Sequence, residues 1–157
     1  MNADLAKEVF SQGLDYLRKN RIPEAANAFR RAFKMDSENP RHLSYYGLML
    51  ALADENIQDA INFCRGAIVR AAYEPEFYVN LSKVYTKAGQ RKKALEALVE
   101  GMNFDKTNTL LRMEMKRLGM RRKPAISFLS RDHIVNRSLG QLTYQMKKVS
   151  PSRKGNQ

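Results

Sequence analysis

The stretch AKEVFSQGLDYLRKNRIPEAANAFRRAFKMD, residues 6–36, decides the fold of this chain. On both sides of a short break before Pro23, apolar residues recur three and four positions apart, which is the spacing of an amphipathic α-helix. Pro23 itself suits the first turn of a helix, where a missing N–H group is tolerated. The stretch therefore predicts two helices joined by a short loop, and a short loop makes neighbouring helices antiparallel.

The same pattern occurs three times along the chain. Two series of small residues repeat with a period of 34 or 35 residues, one in each predicted first helix and one in each predicted second helix. The first series is Gly13, Gly47 and Ser82, and the second series is Ala25, Ala60 and Ala94. Pro40 and Pro75 suit the first turns of two further helices, and Gly89 suits a helix end. The repeat predicts six helices in three hairpins.

This pattern resembles the tetratricopeptide repeat (TPR) family, whose unit of about 34 residues has small residues where its two helices cross. The resemblance covers residues 5–105. The matching positions are Gly13, Tyr16, Ala25, Phe29 and Ala32 in the first unit, Gly47, Ala60 and Ala67 in the second, and Tyr78, Leu81, Tyr85, Gly89, Ala94 and Asp105 in the third. Cys64 departs from the pattern, where an aromatic is usual, and so do Ser82 and Gly101. The resemblance implies an all-α, right-handed superhelical array of three TPR helix hairpins.

The segment TNTLLRMEMKRLG, residues 107–119, predicts a seventh helix with Leu111, Met115 and Leu118 on one stripe and Gly119 at its end. We expect it to cap the third hairpin, because the last unit of a solenoid otherwise exposes an apolar face. The expected domain organisation is three hairpins plus the capping helix over residues 1–119, a basic extension made of an extended segment and an amphipathic helix over 120–149, and a disordered end over 150–157.

The family geometry implies a concave groove lined by the first helices of the three units. Such a groove would make the chain an adaptor or scaffold that binds a peptide or helix of a partner protein. The expected groove residues are Lys7, Phe10, Leu14, Arg41, Tyr45, Leu48, Asn80, Lys83 and Lys87. For Leu14 and Leu48, packing between helices is an equally good interpretation, since apolar stripes usually belong to the core.

One group of the family grips a C-terminal carboxylate with lysine, asparagine and arginine side chains. At the corresponding positions this chain has Phe10, Leu14, Tyr45 and Glu76, and only Asn80 is in keeping with that group. We therefore expect a different ligand, an extended peptide or an amphipathic helix with apolar anchors.

Positive charge is concentrated in the last third of the chain. The net charge is +12, of which residues 106–157 carry +11 with thirteen Lys and Arg against two Asp and Glu. The expected basic patch is Lys116, Arg117, Arg121, Arg122 and Lys123, and the expected tail contacts are Phe128, Leu129, Leu139, Leu142 and Met146. Three hypotheses stay open for this extension: it packs on the array, it docks a protein partner with an acidic surface, or it binds nucleic acid or an anionic membrane surface. Residues 121–142 are also similar to tails that follow short TPR arrays in bacterial proteins, which implies a bacterial adaptor.

The sequence contains no pattern that is typical of a catalytic or metal-binding site. His42 and His133 have no partner at a metal-ligand spacing, so each is expected to be a surface or interface residue. Cys64 is expected to be a buried, unreactive thiol inside a hairpin. We expect no enzyme activity, no cofactor, no metal and no small-molecule substrate. A single cysteine, no signal peptide and no membrane span favour the cytoplasm.

Overall fold

The computed structural model describes residues 2–119, which form seven α-helices and contain no β-strand. The helix bounds are α1 Asn2–Arg18, α2 Ile22–Met35, α3 Pro40–Leu52, α4 Ile57–Arg70, α5 Pro75–Lys87, α6 Arg91–Met102 and α7 Thr109–Arg117. Consecutive helices pair as α1 with α2, α3 with α4, and α5 with α6. The prediction of three hairpins followed by a seventh helix is therefore confirmed. None of these seven helices has the length and apolar character needed to cross a membrane.

The ends of the helices follow from local sequence chemistry. Proline lies in the first turn of α2, α3 and α5. Three asparagines precede helices and accept hydrogen bonds from backbone N–H groups of the first turn, which would otherwise lack a partner; they are Asn39, Asn56 and Asn108. Gly89 and Gly119 follow α5 and α7 with φ values of +71° and +78°, in the left-handed region where glycine ends a helix without strain.

In each hairpin the two helices approach closely at a glycine. A Cβ atom added to Gly13 would lie 2.8 Å from the Phe29 ring, and one added to Gly47 would lie 2.9 Å from the carbonyl oxygen of Ala60. In the third hairpin the arrangement is exchanged, because the glycine, Gly101, lies on the second helix, and a Cβ atom added to it would lie 2.8 Å from the ring of Tyr78 on the first. This exchange explains why the third unit departs from the family pattern at Gly101.

Cys64 has a packing role in the second hairpin. The thiol is fully buried, and it donates a hydrogen bond to the carbonyl oxygen of Ser44 with a sulfur to oxygen distance of 3.5 Å. Burial raises the pKa of the Cys64 thiol from 9.0 to about 12, because a thiolate there would lose its hydration. The residue is thus a buried, protonated thiol. The aromatic residue of this turn is its neighbour Phe63, which packs against Tyr46.

Successive hairpins stack through α2 on α3 and through α3 and α4 on α5, and α7 covers the last hairpin. Helix α3 packs against α5, and α7 packs against both α5 and α6. On α7 the side chain of Leu111 is fully buried, and the guanidinium of Arg91 donates two hydrogen bonds to the carbonyl oxygen of Leu118 at the end of the helix. Helix α7 therefore has the packing that a capping helix requires.

Candidate functional site

A pocket opens between α1 and α3, the first helices of the first two hairpins. Its volume is about 340 Å³, which lies within the range of roughly 300–1,000 Å³ typical of ligand sites. The lining residues are Lys7, Phe10, Ser11 and Leu14 of α1, Arg41 and His42 of α3, and Asn39 just before α3. We call it the first-helix pocket, and the surface formed by α1, α3 and α5 the first-helix face.

A cluster of four rings includes two residues that line the first-helix pocket, Phe10 and His42. The Phe10 ring lies 5.2 Å from Phe29, 5.0 Å from His42 and 5.2 Å from Tyr45, measured between ring centroids. The contacts with Phe29 and Tyr45 are edge-to-face, an arrangement that aromatic pairs prefer. Because these rings come from α1, α2 and α3, the cluster joins the first two hairpins and holds the Phe10 ring in place at the floor of the pocket.

His42 corrects one expectation from the sequence. We expected a surface or interface residue, but its side chain is 2% exposed and packs against Phe10. Its ring Nδ1 lies 3.1 Å from the carbonyl oxygen of Asp36, so Nδ1 donates a hydrogen bond to that oxygen. The ring is buried because it packs against the Phe10 ring of α1 and is hydrogen-bonded to the backbone just after α2.

A polar network extends from the first-helix pocket to α5. The guanidinium of Arg41 donates hydrogen bonds to the Glu76 carboxylate at 2.6 and 3.3 Å, and its centre lies 5.3 Å from the centroid of the Phe10 ring. The Tyr45 hydroxyl donates to the same carboxylate at 3.2 Å. Burial, together with the neighbouring Glu76 charge, raises the pKa of Tyr45, so its phenol stays protonated and remains a donor. Arg41 thereby contacts residues of both α1 and α5.

The predicted groove residues differ in exposure. Lys7, Arg41 and Lys87 are exposed, and Leu14, Tyr45 and Lys83 are partly buried. Lys87 forms an ion pair with Glu55, with 3.3 Å between Nζ and the carboxylate oxygen. Phe10 is buried, but it still lines the first-helix pocket as part of its floor. These residues stay predicted ligand contacts.

At Leu48 and Asn80 the expectation of an open groove needs correction. Leu48 is 1% exposed and Asn80 is 3% exposed. The Asn80 amide donates a hydrogen bond to the Ser44 hydroxyl at 3.1 Å, within the contact between α3 and α5. Both side chains lie between helices because α3 and α5 pack directly on each other, whereas α1 and α3 leave a pocket between them.

Ser11 and Asn39 line the first-helix pocket although the sequence did not single them out. Ser11 could have been found from helical phase, because it lies four positions after Lys7 and three before Leu14 on the same face of α1. Asn39 carried a different signal, that of a helix cap. Its place in the pocket depends on how close α3 comes to α1.

The predicted basic patch is described only in part. Lys116 and Arg117 lie exposed in the last turn of α7, and Arg117 pairs with Glu114 at 2.5 Å. Arg121, Arg122 and Lys123 lie outside the described residues. The same is true of the predicted tail contacts Phe128, Leu129, Leu139, Leu142 and Met146 and of His133. The hypotheses about the basic extension therefore stay predictions.

Comparison with known families agrees with the helical architecture. The sequence profile of the Tetratricopeptide repeat family matches residues 10–75, which span α2, α3, α4 and most of α1. Over these residues the chain matches the tetratricopeptide repeat family. A comparison with curated protein sequences gives no match.

Solved TPR structures share this fold. The TPR domain of Arabidopsis OM64 aligns at 16% identity with a TM-score of 0.61, covering 75% of this chain and 97% of that chain. The TPR2B domain of yeast Sti1, in a complex with pHsp70, aligns at 22% identity with a TM-score of 0.58, covering 74% and 98%. The Yersinia enterocolitica type III secretion chaperone SycD, in complex with a peptide of the translocator YopD, aligns at 16% identity with a TM-score of 0.57, covering 73% and 87%. At these identities the likeness establishes the fold.

Within the part of the chain that the structure describes, no three His, Cys, Asp or Glu side chains come together as a group that could hold a metal ion.

Proposed function

We propose that this TPR protein is an interaction adaptor that captures a peptide or helix of a partner protein on its first-helix face. The first-helix pocket is the observation that carries the proposal. It combines an apolar floor at Phe10 and Leu14 with an exposed rim at Lys7, Ser11 and Arg41. A pocket of this kind holds one apolar side chain of a peptide while the polar rim contacts the peptide on either side.

Two of the similar structures support peptide capture by this fold. The yeast Sti1 domain is in a complex with pHsp70, and the Yersinia enterocolitica chaperone holds a peptide of YopD. For this chain we likewise propose a protein or peptide partner.

The polar network argues for an internal segment of the partner and against its C-terminal carboxylate. Glu76 brings a negative charge to the first-helix face, and its carboxylate already accepts hydrogen bonds from Arg41 and Tyr45. The amide of Asn80 is buried and donates to Ser44. A terminal carboxylate would have to displace Glu76 from Arg41, whereas an internal segment with an apolar anchor needs only the first-helix pocket.

The proposed role is non-enzymatic and cytoplasmic, with no cofactor and no small-molecule substrate. Residues 1–119 would be the interaction domain, and 120–149 a basic extension that packs on the array or docks a partner.

Blocking the first-helix pocket tests this function. Ser11→Trp places a large ring at the pocket from an exposed position of α1, so the helices should keep their packing. The matched control is Gln12→Trp, which adds the same side chain at the next exposed position, outside the pocket lining. Affinity purification with mass spectrometry should show a partner that the wild type and Gln12→Trp retain and Ser11→Trp loses. If all three proteins retain the same partners, the first-helix pocket is not the binding site.

A further inference from the structure

A second pocket lies between α2 and α4, the second helices of the first two hairpins. Its volume is about 460 Å³, again within the range of roughly 300–1,000 Å³ typical of ligand sites. Its lining residues are Phe33, Ser37, Glu38, Leu43, Asp59, Asn62, Phe63, Gly66 and Arg70. None of these residues lines the first-helix pocket. We call this pocket the second-helix pocket.

Packed aromatic rings form one wall of the second-helix pocket. Phe33 stacks on Tyr46 with 4.6 Å between ring centroids, and Phe63 meets both rings edge-on at 5.5 and 5.1 Å. Each ring is therefore held by the other two. Phe33 and Phe63 remain partly exposed, so their apolar surface is available to a ligand without rearrangement.

Gly66 keeps the second-helix pocket open. A Cβ atom added there would have one neighbour within 4 Å, the Cδ2 atom of Leu43 at 3.2 Å. Glycine is unfavourable in the interior of a helix, and here it leaves a gap in α4 through which a ligand reaches Leu43.

Charged side chains at the rim indicate the charge of the ligand. Glu38 and Asp59 contribute two carboxylates, and Arg70 contributes one guanidinium that lies 3.5 Å from the Glu38 carboxylate. The Glu38 side chain is 85% exposed, so its pairing with Arg70 is easily exchanged for another cation. Asp59 lies in the first turn of α4 and accepts a hydrogen bond from the Asn56 amide at 2.8 Å. The rim is therefore net negative.

We propose that the second-helix pocket is a second docking site, which takes a large apolar side chain flanked by lysine or arginine from a partner peptide. The apolar side chain lies between Phe33, Phe63 and Leu43, and the flanking cation pairs with Glu38 or Asp59. The site is separate from the first-helix pocket, so the chain holds two different segments at once. The adaptor role then acquires a physical basis for joining two partners.

Two blocked peptides test the site with the full-length protein. One has the sequence Lys-Arg-Phe-Leu-Lys, and the other is its charge-reversed counterpart Glu-Asp-Phe-Leu-Glu. NMR titration should show that the basic peptide shifts the amide resonances of Phe33, Leu43 and Gly66. Its affinity at low salt should exceed that of the acidic peptide by about tenfold, because the two peptides share the Phe-Leu pair and carry opposite charges around it. Equal affinities, or shifts that avoid these three residues, would overturn the proposal.

Substitutions inside and outside the second-helix pocket distinguish binding at the pocket from a general effect of protein charge. Glu38→Lys should weaken binding of the basic peptide by about fivefold, whereas Glu96→Lys makes the same charge change at an exposed position of α6 and should leave binding unaltered. Gly66→Leu should fill the pocket and abolish the shifts. A circular dichroism melt reports whether that variant folds, and the smaller Gly66→Ala should weaken binding in any case. Equal loss in Glu38→Lys and Glu96→Lys would overturn the proposal.

A substitution in one docking site should leave binding at the other site unchanged. Ser11→Trp should leave binding of the basic peptide unchanged, because Ser11 does not line the second-helix pocket. Glu38→Lys should likewise leave the partner of the first-helix pocket in place. Loss of the basic peptide in Ser11→Trp would contradict the separation of the two sites.

Discussion

The Glu76 carboxylate on α5 accepts two hydrogen bonds from the guanidinium of Arg41, one repeat earlier on α3. The two residues are 35 positions apart, and a second pair with the same separation, Arg65 and Glu100, joins α4 to α6 at 2.8 Å. Each pair therefore links equivalent positions of the second and third hairpins. Exposed ion pairs contribute little to stability, so the main effect of these pairs is on how the two hairpins align.

The two pairs should differ in strength, because Glu76 is 20% exposed and Glu100 is 41% exposed at the side chain. A double-mutant cycle with Arg41→Ala and Glu76→Gln should give a coupling free energy of about 1 kcal/mol. The matched cycle with Arg65→Ala and Glu100→Gln should give about 0–0.5 kcal/mol. Urea denaturation measures both. Equal coupling in the two cycles would show that burial of Glu76 has no effect.

Replacement of Ser82 or Ser44 by alanine should change the free energy of unfolding in opposite directions. Within the described residues, the Ser82 hydroxyl is buried without a hydrogen-bond partner, whereas the Ser44 hydroxyl accepts from Asn80. Ser82→Ala should raise the free energy of unfolding by about 1 kcal/mol, because an unpaired hydroxyl loses its hydration on folding. Ser44→Ala should lower it by about 1–3 kcal/mol, because the Asn80 amide is left without an acceptor. Chemical denaturation of the two variants side by side decides the matter, and a destabilised Ser82→Ala would contradict the first expectation.

Gly13→Ala should destabilise the first hairpin. The added methyl group would lie 2.8 Å from the Phe29 ring, a distance that the packed helices cannot keep. We expect a loss of about 1–3 kcal/mol in the free energy of unfolding, the usual cost of overpacking. The double variant with Phe29→Leu should show less loss than the sum of the single variants, since the smaller side chain makes room for the methyl group. If the losses of the two single variants simply add, the strain does not lie between residue 13 and the Phe29 ring.

Burial of the Cys64 thiol should lower the stability of the folded protein at alkaline pH. The pKa of this thiol is raised from 9.0 to about 12 by burial, so the folded state favours the protonated thiol. The corresponding stability is fully present below pH 9.0 and decreases as the pH rises towards about 12. Cys64→Ala should therefore lose less stability than the wild type between pH 9 and pH 11.

Thiol labelling of Cys64 gives an independent measurement. At pH 8 a chromogenic disulfide reagent should react with the native protein at the rate of opening of the second hairpin. It should react rapidly once urea has unfolded the chain, because the buried thiol is then exposed. Rapid labelling of the native protein would contradict burial of Cys64.

Local sequence features determined most of the fold. The prolines at helix starts, Gly89 at a helix end and the small residues at the crossings predicted each helix to within a few residues, because these effects act within one or two turns. The sequence showed that the third unit has Gly101 where the repeat pattern has alanine, but it did not show why. Gly101 matches Tyr78, a residue 23 positions away, and only packing brings these two together.

The candidate sites depended more on the tertiary structure. Helical phase placed Phe10, Arg41, Leu48 and Asn80 on first helices, yet phase alone does not tell a groove from an interface between helices. Leu48 and Asn80 are buried because α3 packs on α5, and Phe10 forms a pocket floor because α1 and α3 stay apart. The sequence by itself determined the three hairpins and their period, since periodicity and capping are properties of neighbouring residues. Only the tertiary structure decided which side chains face a partner and where the pocket between α2 and α4 opens, because both follow from distances between helices far apart in the chain.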